Sequence, residues 1–592
     1  MEDLALNTID YSVFWLYMIV SVGLGFAVAR NARGRPQDYF LGEKKLPWYV
    51  VGTSMVASDI SSETFIANVG IAYLYGMVAA TGGWNAWIIY SIFIFVFLPY
   101  YVRRGLYTMP QFLERRYNSA CRYLFAISLV IGYVFTLLAG SLYAGGLAVE
   151  NIFDIDIHAS LGFGDGAHDR TANIMWGIVL FAVVTGAYTI YGGMKSAAWT
   201  DFLQMMVLLF AGILLPILAL VHVGGLEPLA RDYPQHFDLF LPPEHEQFPW
   251  TGVFTGFLTV GLWYTCASQH IVQRVLSAKD EWHARMGVVS AGFLRIITPL
   301  FFVIPGIAAL QMFPELKETR QQDQAYLLMV KALIPTGLKG LVLAGMAAAL
   351  MSTVSTVLNS TSTLLTIDLY KKLREYWVGR RQKHDALPPR EGNVLEYERA
   401  AGAASEDAPS PVGDREQVIF GMITGLIVLI ISIWVAFDYI HSPHALFRLV
   451  QRIFFYIAPP FAVIFTLGLI WRRANGKAAL ATIISGFLFL LLLEQVLWDR
   501  IEWLTPYRRA YQHSALLTWV FSMIVMITVS LLTKPPPREK TEGIIWNRSY
   551  LKLPQEMRQR YGGWKDFRLW WLLFIGIVLG IYGFFVWFDL SR

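Results

Sequence analysis

The chain has 592 residues, of which 55% are hydrophobic and only 15% are charged, and its mean hydropathy is +0.46. Soluble proteins carry about a quarter charged residues, so this composition excludes a soluble multidomain protein and predicts a polytopic membrane protein. The formal net charge of +5 comes largely from basic loops, and we attribute it to membrane topology rather than to nucleic-acid binding.

Apolar runs of about 20 residues recur along the chain, each long enough to cross a hydrocarbon core of roughly 30 Å. They predict an all-α polytopic membrane protein with about fourteen membrane-spanning helices. The predicted spans are 11–30, 47–72, 77–101, 123–149, 173–191, 198–222, 251–272, 284–312, 339–368, 417–439, 445–471, 478–499, 514–533 and 568–590.

The loops between these spans alternate in charge. RNARGR, RRGLYTMPQFLERR and WRRANGK are basic, whereas NIFDIDIHASLGFGDGAHD on the opposite side is acidic or neutral. Cytoplasmic loops are enriched in Lys and Arg, so we predict that the basic loops are cytoplasmic and that both termini are extracytoplasmic. We expect the protein to lie in the lipid bilayer of a plasma (inner) membrane, with no nucleic-acid partner.

Two predicted cytoplasmic segments are longer than a simple turn. Residues 371–416 are charged and rich in Ala, Pro and Gly, which predicts a flexible loop, and residues 534–567 are predicted to tether the last helix. Neither segment contains a Gly-rich phosphate loop or a catalytic motif. The sequence therefore disfavours an ATP-driven pump and an enzyme.

Residues 56–70, VASDISSETFIANVG, place Asp59 and Glu63 inside a predicted span. An ionised side chain at the bilayer centre costs roughly 2.5–3.5 kcal/mol, and residues four apart share one face of an unbroken helix. We therefore predict a helix interrupted near residues 58–62, with freed carbonyls and hydroxyls lining a watery cavity. The alternative is that the carboxylates cap or pair with neighbouring helices.

A second polar cluster lies in GMAAALMSTVSTVLNSTST, residues 345–363. Ser352, Ser355, Thr356 and Asn359 form one stripe of a helix, with Thr353 beside it. Such hydroxyls often bond within their own helix or join helices. Their density favours a second interpretation, in which hydroxyl and carbonyl oxygens hold a monovalent cation such as Na⁺.

Asp201 and Arg295 are further charged residues within predicted spans. Asp201 lies near the start of its span, where a carboxylate favours the helix dipole. Alternatively, it supplies the negative charge that a second cation needs.

Five motifs stand in a specific order along the chain: DYFLGEKKLPW, YGGMKSAAWTD, SQHIVQRVLSAK, AGFLR…PGIAA and AALMSTVSTVLNSTSTLLTIDLYKK. Together they resemble the sodium/solute symporter family, particularly its sodium/glucose cotransporter-like branch, from about residue 10 to residue 500. The resemblance implies one transmembrane transporter domain with an amino acid–polyamine–cation superfamily-type core. This core has two inverted five-helix repeats, 47–222 and 251–471, each with a broken first helix, and residues 478–592 form additional C-terminal helices.

The resemblance also implies where sodium binds. The principal site would use the backbone carbonyls of Ala57, Ile60 and Ala349 with the hydroxyls of Ser352 and Thr353. A second site, found in only some members, matches Asp201, Ser352, Ser355 and Thr356. All these positions carry suitable oxygens, so we expect two sodium ions to be coupled to each solute.

The family's substrate positions match this chain less completely. The implied substrate-binding residues are Asp59, Glu63, Thr64, Trp84, Asn85, Tyr264, Arg295 and Gln451. Tyr264 matches the aromatic inner gate, and Trp84, Asn85 and Gln451 match sugar-type members.

This chain departs from sugar-binding relatives at four substrate positions. Those relatives carry Asn in place of Asp59, Glu in place of Gly83, Lys in place of Arg295, and Gln or His near Thr64. In one interpretation, Asp59 pairs with Arg295 in the empty site and opens for a polyhydroxylated ligand. In the other, the cavity selects an acidic sugar or another carboxylate.

We therefore expect a sodium-coupled secondary active symporter that imports a small hydrophilic organic solute, a sugar or polyol. The nearest alternative is a sodium- or proton-coupled symporter of an acidic sugar or other carboxylate, with Asp59 or Asp201 carrying the proton. An ion channel would need a filter-like loop, and a transporter-like sensor would need a signalling domain. The sequence contains neither feature.

Overall fold

The structure is a computed structural model that describes residues 6–30, 34–60, 62–151, 162, 169–319, 321–377, 412–441, 443–500 and 511–590. Across these ranges the protein is built from helices, and its β-structure is limited to isolated bridges between Leu46 and Ala278 and between Leu241 and Pro249. The predicted all-α fold is confirmed.

The helices have the following bounds. The α-helices are Thr8–Ala29, Pro36–Leu41, Trp48–Ala57, Ser62–Tyr75, Thr81–Trp84, Ala86–Ile92, Leu98–Arg103, Met109–Arg116, Ser119–Gly132, Ala139–Asn151, Arg170–Val223, Leu226–Asp232, Trp250–Cys266, Gln269–Leu276, Glu281–Ile297, Leu300–Met312, Glu315–Thr319, Ala325–Leu333, Lys339–Thr363, Asp414–His441, Pro443–Ile470, Gly476–Leu492, Trp498–Arg500, Tyr511–Leu532, Gln555–Arg560 and Phe567–Leu590. Tighter 3₁₀ turns occupy Gly42–Lys44, Gly76–Ala80, Pro234–Phe237, Gln322–Gln324, Arg538–Lys540, Arg548–Leu551 and Gly563–Lys565, and wider π turns occupy Phe93–Phe97, Tyr133–Leu138, Leu364–Tyr370 and Leu493–Leu497.

Within the described ranges, 10 helices are long and apolar enough to cross a membrane. The predicted spans fall mainly on helical residues. Some of them are parts of one longer helix, as with 173–191 and 198–222 in Arg170–Val223. The count of about fourteen crossings therefore remains a prediction.

The helix Arg170–Val223 bends sharply at Gly193, where φ is 58° and ψ is −149°. A Cβ atom at this position would lie 2.3 Å from the carbonyl oxygen of Tyr39. Only glycine tolerates both this backbone conformation and this close approach. The bend separates the two predicted spans without an intervening loop.

Two helix breaks in the described part of the chain bear on the site. The first broken helix comprises Trp48–Ala57 and Ser62–Tyr75, so the interruption predicted near residues 58–62 is confirmed. The second broken helix comprises Trp250–Cys266 and Gln269–Leu276. Such interruptions free backbone groups inside a membrane protein, where they must line a cavity or find protein partners.

The polar stripe lies on the helix Lys339–Thr363, here called the hydroxyl helix, which is buried along nearly its whole length. It packs against Arg170–Val223, Thr8–Ala29 and the first broken helix. Residues 371–377, at the start of the predicted flexible loop 371–416, continue as helix, and the flexibility of the loop remains a prediction. Residues 378–411 of that loop lie outside the described ranges.

The predicted tether 534–567 is packed onto the rest of the protein. The backbone N–H of Trp546 donates to the carbonyl of Leu469 (2.7 Å), and its indole N–H donates to the carbonyl of Phe95 (2.9 Å). The last helix, Phe567–Leu590, here called the C-terminal helix, then packs against Glu281–Ile297.

Candidate functional site

The end of the first half-helix, at Ala57, meets the hydroxyl helix. The hydroxyl of Ser352 donates to the carbonyl of Ala57 (2.7 Å) and contacts the carbonyl of Ala349 (2.9 Å), which also accepts from Thr353 (3.1 Å). Ile60 is buried within the break itself. The structure thus brings Ala57, Ala349, Ser352 and Thr353 to one place, and Ile60 lies three residues beyond Ala57 in the break.

This cluster offers uncharged oxygen atoms as cation ligands, and its residues are buried. Hard oxygen ligands suit an alkali cation better than they suit a transition metal. A serine hydroxyl has one hydrogen and two lone pairs, so Ser352 can either donate to the Ala57 carbonyl or rotate and offer its oxygen to a cation. The hydroxyl and carbonyl oxygens of this cluster can therefore either hydrogen-bond to one another or bind a cation.

A second cluster surrounds Asp201, whose side chain is fully buried. Its Oδ2 accepts from the hydroxyl of Ser54 (2.6 Å), and its Oδ1 accepts from Ser355 (3.2 Å). Arg274 places Nη2 3.5 Å from Asp201 Oδ2 and donates from the same nitrogen to Thr356 Oγ1 (2.5 Å). The residues predicted for the second sodium site are therefore together, but a guanidinium lies among them.

Arg274 was not predicted to belong to this site. It comes from the second broken helix, is fully buried, and donates from Nη1 to the carbonyl of His270 (3.2 Å). Its pairing with Asp201 makes the cluster electrically neutral, so a sodium ion added here would leave an uncompensated positive charge in a buried site. Arg274 falls just beyond a predicted span, and no local sequence pattern links it to Asp201.

The two clusters form one polar network. The hydroxyl of Ser355 donates to the backbone carbonyl of Ser352 (3.0 Å). Ser58, in the break, contacts Thr356 Oγ1 (2.7 Å) and donates to the carbonyl of Ser54 (2.6 Å). Ser54 and Ser58 were also missed as site residues, although their spacing of four on a helix next to Asp59 could have indicated them.

A cavity of about 510 Å³ lies beside the break, a size typical of small-molecule sites. It is lined by the predicted substrate residues Asp59, Asn85, Tyr264 and Arg295, together with Ile60. The structure therefore brings these four predicted substrate residues to one cavity.

An ion pair joins Arg295 to Asp59 on the cavity wall. Asp59 belongs to the break, whereas Arg295 belongs to the helix Glu281–Ile297. Arg295 Nε is buried and has no hydrogen-bond partner among the described residues. The pairing expected from the sequence is present, and its role in solute binding remains a prediction.

Of the remaining predicted substrate residues, only the side chain of Trp84 belongs to the described part of the chain. Trp84 is buried outside the lining, where its indole donates to the carbonyl of Ile296 (3.1 Å). The side chains of Glu63, Thr64 and Gln451 lie outside the described residues.

Gly83, where the family resemblance implies a Glu in sugar-binding members, also lines the cavity. A Cβ atom here would lie 2.5 Å from Cγ of Pro299 and 3.2 Å from the carbonyl oxygen of Arg295. The departure at Gly83 thus has a packing reason: it allows the chain to approach the helix that carries Arg295.

An all-α membrane protein with broken helices, buried oxygen clusters at one break and an adjoining small-molecule cavity has the architecture of an ion-coupled transporter. The family model "Sodium:solute symporter family" matches residues 39–167, 170–384 and 410–486. The chain belongs to the sodium:solute symporter family, as its sequence motifs indicated. It is accordingly an integral multi-pass membrane transporter rather than an enzyme, with sodium as coupling ion.

Two characterised relatives match nearly the whole chain. It is 31% identical over 556 residues to the sodium/glucose cotransporter of Vibrio parahaemolyticus, covering 89% of this chain and 91% of that protein. It is 29% identical over 590 residues to the human sodium/myo-inositol cotransporter, covering 90% of this chain and 75% of that protein.

A solved structure of a Na⁺-coupled sialic acid symporter is similar with a TM-score of 0.72. The match has 21% sequence identity and covers 89% of this chain and 98% of that one. At this identity the likeness shows the shared fold.

Replacing Ser352 with Ala should weaken sodium binding. The variant loses one oxygen ligand at the principal cluster, and we expect the sodium concentration for half-maximal thermal stabilisation to rise about tenfold or more. The measurement is a melting curve of the purified protein against sodium chloride, with choline chloride keeping the ionic strength constant.

Thr361→Ala is the matched control for this measurement. Thr361 lies on the same helix, but its hydroxyl donates to the carbonyl of Val357 (2.7 Å) within that helix. The control should keep the wild-type sodium dependence. An unchanged sodium dependence in Ser352→Ala would refute the assignment of the principal site.

Proposed function

We propose that the protein imports a small neutral polyhydroxylated solute, a sugar or polyol, together with sodium. The observation that carries the proposal is the Asp59–Arg295 ion pair on the wall of a cavity that adjoins the Ala57 break. In this proposal, sodium binds at Ala57, Ile60, Ala349, Ser352 and Thr353. Import runs into the cytoplasm across the plasma membrane, and both termini are extracytoplasmic.

The ion pair favours a neutral solute for an electrostatic reason. Asp59 and Arg295 cancel each other's charge, so the cavity wall presents little net charge to a ligand. A carboxylate accepts hydrogen bonds and a guanidinium donates them, which together match the donor and acceptor character of vicinal hydroxyls. The similarity to glucose and myo-inositol cotransporters supports the same solute class.

An acidic sugar or another carboxylate is the second candidate. The buried Nε of Arg295 lacks a partner among the described residues and could serve a bidentate carboxylate. Such a ligand must displace Asp59, which would leave that carboxylate unpaired at the cavity wall. Because leaving Asp59 unpaired is energetically unfavourable, an acidic solute is a weaker candidate than a neutral one.

Uptake into proteoliposomes tests the proposal directly. Labelled D-glucose, myo-inositol and D-glucuronate are offered under an inward gradient of sodium, of choline, or of protons without sodium. We expect sodium-driven accumulation of D-glucose or myo-inositol and none with choline. Uptake that follows the proton gradient in the absence of sodium would contradict sodium coupling, and uptake of D-glucuronate alone would select the second candidate.

Replacing Asp59 with Asn should shift solute preference toward acids. The substitution removes the negative partner of Arg295, and we expect the uptake of D-glucuronate relative to D-glucose to rise about tenfold. Asp59→Glu keeps the charge and serves as the control. An unchanged preference, or equal loss of folded protein in Asp59→Asn and Arg295→Gln, would instead indicate a structural ion pair.

The number of sodium ions per solute depends on the Asp201 cluster. The sequence predicts two ions, and this remains a prediction, but the pairing of Asp201 with Arg274 favours one. The reversal potential of sodium-driven solute flux in proteoliposomes measures the ratio. We expect one sodium per solute, and a ratio of two would show that sodium also binds at Asp201 despite the guanidinium.

A further inference from the structure

The C-terminal helix lies beyond the last residue, 486, matched by the family model, yet it packs directly behind the solute cavity. The ring of Phe574 occupies the space above Gly292, where a Cβ atom would lie 2.8 Å from the ring. Gly292 is one turn from Arg295 on the same helix. Trp571 also donates from its indole to the hydroxyl of Ser91 (2.9 Å). These contacts fix the C-terminal helix against the helices Glu281–Ile297 and Ala86–Ile92, each of which contributes other residues to the cavity lining.

From this position Tyr582 reaches a residue that lines the cavity. Its hydroxyl donates to Oδ1 of Asn85 (2.6 Å), whose side chain is almost fully buried. The Tyr582 ring lies 6.2 Å from the ring of Phe254, which also lines the cavity. The Tyr582 hydroxyl is therefore held behind the residues that line the cavity.

The surroundings of Asn85 determine which way its carboxamide points. The amide nitrogen makes a long hydrogen bond of 3.5 Å to the carbonyl of Val253, which can only accept. The oxygen must then face Tyr582, which donates. In this orientation Asn85 has a second N–H for an oxygen of the solute, and its own oxygen is already bonded.

We propose that Tyr582 is a positioning residue for the solute: it holds the Asn85 carboxamide so that the amide N–H groups are available in the cavity. The inference rests on the proposed function, because it takes Asn85 as a contact of the transported solute. It assigns to the C-terminal helix a part in solute recognition. The ligand chemistry that fits is a hydroxyl oxygen acting as acceptor.

Kinetics of sodium-driven uptake separate positioning from a structural role. The probe is labelled D-glucose or labelled myo-inositol, whichever the wild-type protein accumulates. Tyr582→Phe keeps the ring and removes only the hydroxyl, so the carboxamide loses its stronger anchor. We expect KM for the solute to rise about tenfold, with an unchanged maximal rate and an unchanged half-saturating sodium concentration.

Trp571→Phe is the matched control, since it removes one hydrogen bond of the same helix to Ser91, which does not line the cavity. It should leave KM at the wild-type value. A double-mutant cycle adds Asn85→Ala: if Tyr582 acts through Asn85, Tyr582→Phe should change KM no further in the Asn85→Ala background.

Several outcomes would overturn the inference. These are a wild-type KM in Tyr582→Phe, an equal rise of KM in Trp571→Phe, or an undiminished effect in the Asn85→Ala background. A wild-type protein that accumulates neither probe would contradict the proposed function itself, and that result is obtained before any variant is measured.

Discussion

The carbonyl of Ala57 must be satisfied without water, and the arrangement of the transporter core follows from this requirement. Where a helix ends inside a membrane protein, its last carbonyls have no partner within the helix and none in lipid. On the hydroxyl helix, Ser352 donates its hydroxyl to the carbonyl of Ala57. Thr356 of the same helix contacts the hydroxyl of Ser58 in the break through its own hydroxyl. These bonds require a polar face deep in the protein. They explain why the hydroxyl helix is buried along nearly its whole length and packed on several sides by other helices.

Charged side chains near the break are likewise paired with residues of other helices. Asp59 pairs with Arg295 and Asp201 pairs with Arg274, and each pair joins residues from different helices. The Asp201–Arg274 pair is fully buried, whereas the Asp59–Arg295 pair is partly exposed to the cavity. An ion pair removed from water contributes little net stability, because desolvation offsets the attraction, whereas an unpaired buried member is strongly destabilising. The pairs therefore specify which helix faces lie together. They also leave the region neutral, so that a cation bound at the proposed sodium site is held only by neutral oxygens such as those of Ala57 and Ser352.

The sequence predicted those features that depend on local pattern. An acidic residue at 59 within an apolar run indicated the break, and hydroxyls repeating with helical spacing indicated the buried stripe. The Arg274–Asp201 pair was not predicted, because no local pattern joins the two residues. The Asp59–Arg295 pair was expected only because the family resemblance implied both residues as substrate positions. The contact of Tyr582 with Asn85 escaped prediction for the same reason. The packing of Gly83 against Pro299 depends on how closely two helices approach, which periodicity does not encode.

The proposed sodium and solute sites share one short segment, and this sharing provides a physical route for coupling. Ala57 directs its carbonyl to the hydroxyl helix, while Asp59 and Ile60, within the same break, line the cavity. A cation that binds the oxygens around Ala57 favours the backbone conformation of the break that holds those oxygens together. That conformation also sets the position of Asp59 relative to Arg295 and therefore the affinity for solute. A ligand shifts such an equilibrium only by its differential affinity for the two states, and the coupling is reciprocal. A solute that binds beside Asp59 must consequently raise sodium affinity by the same factor by which sodium raises solute affinity.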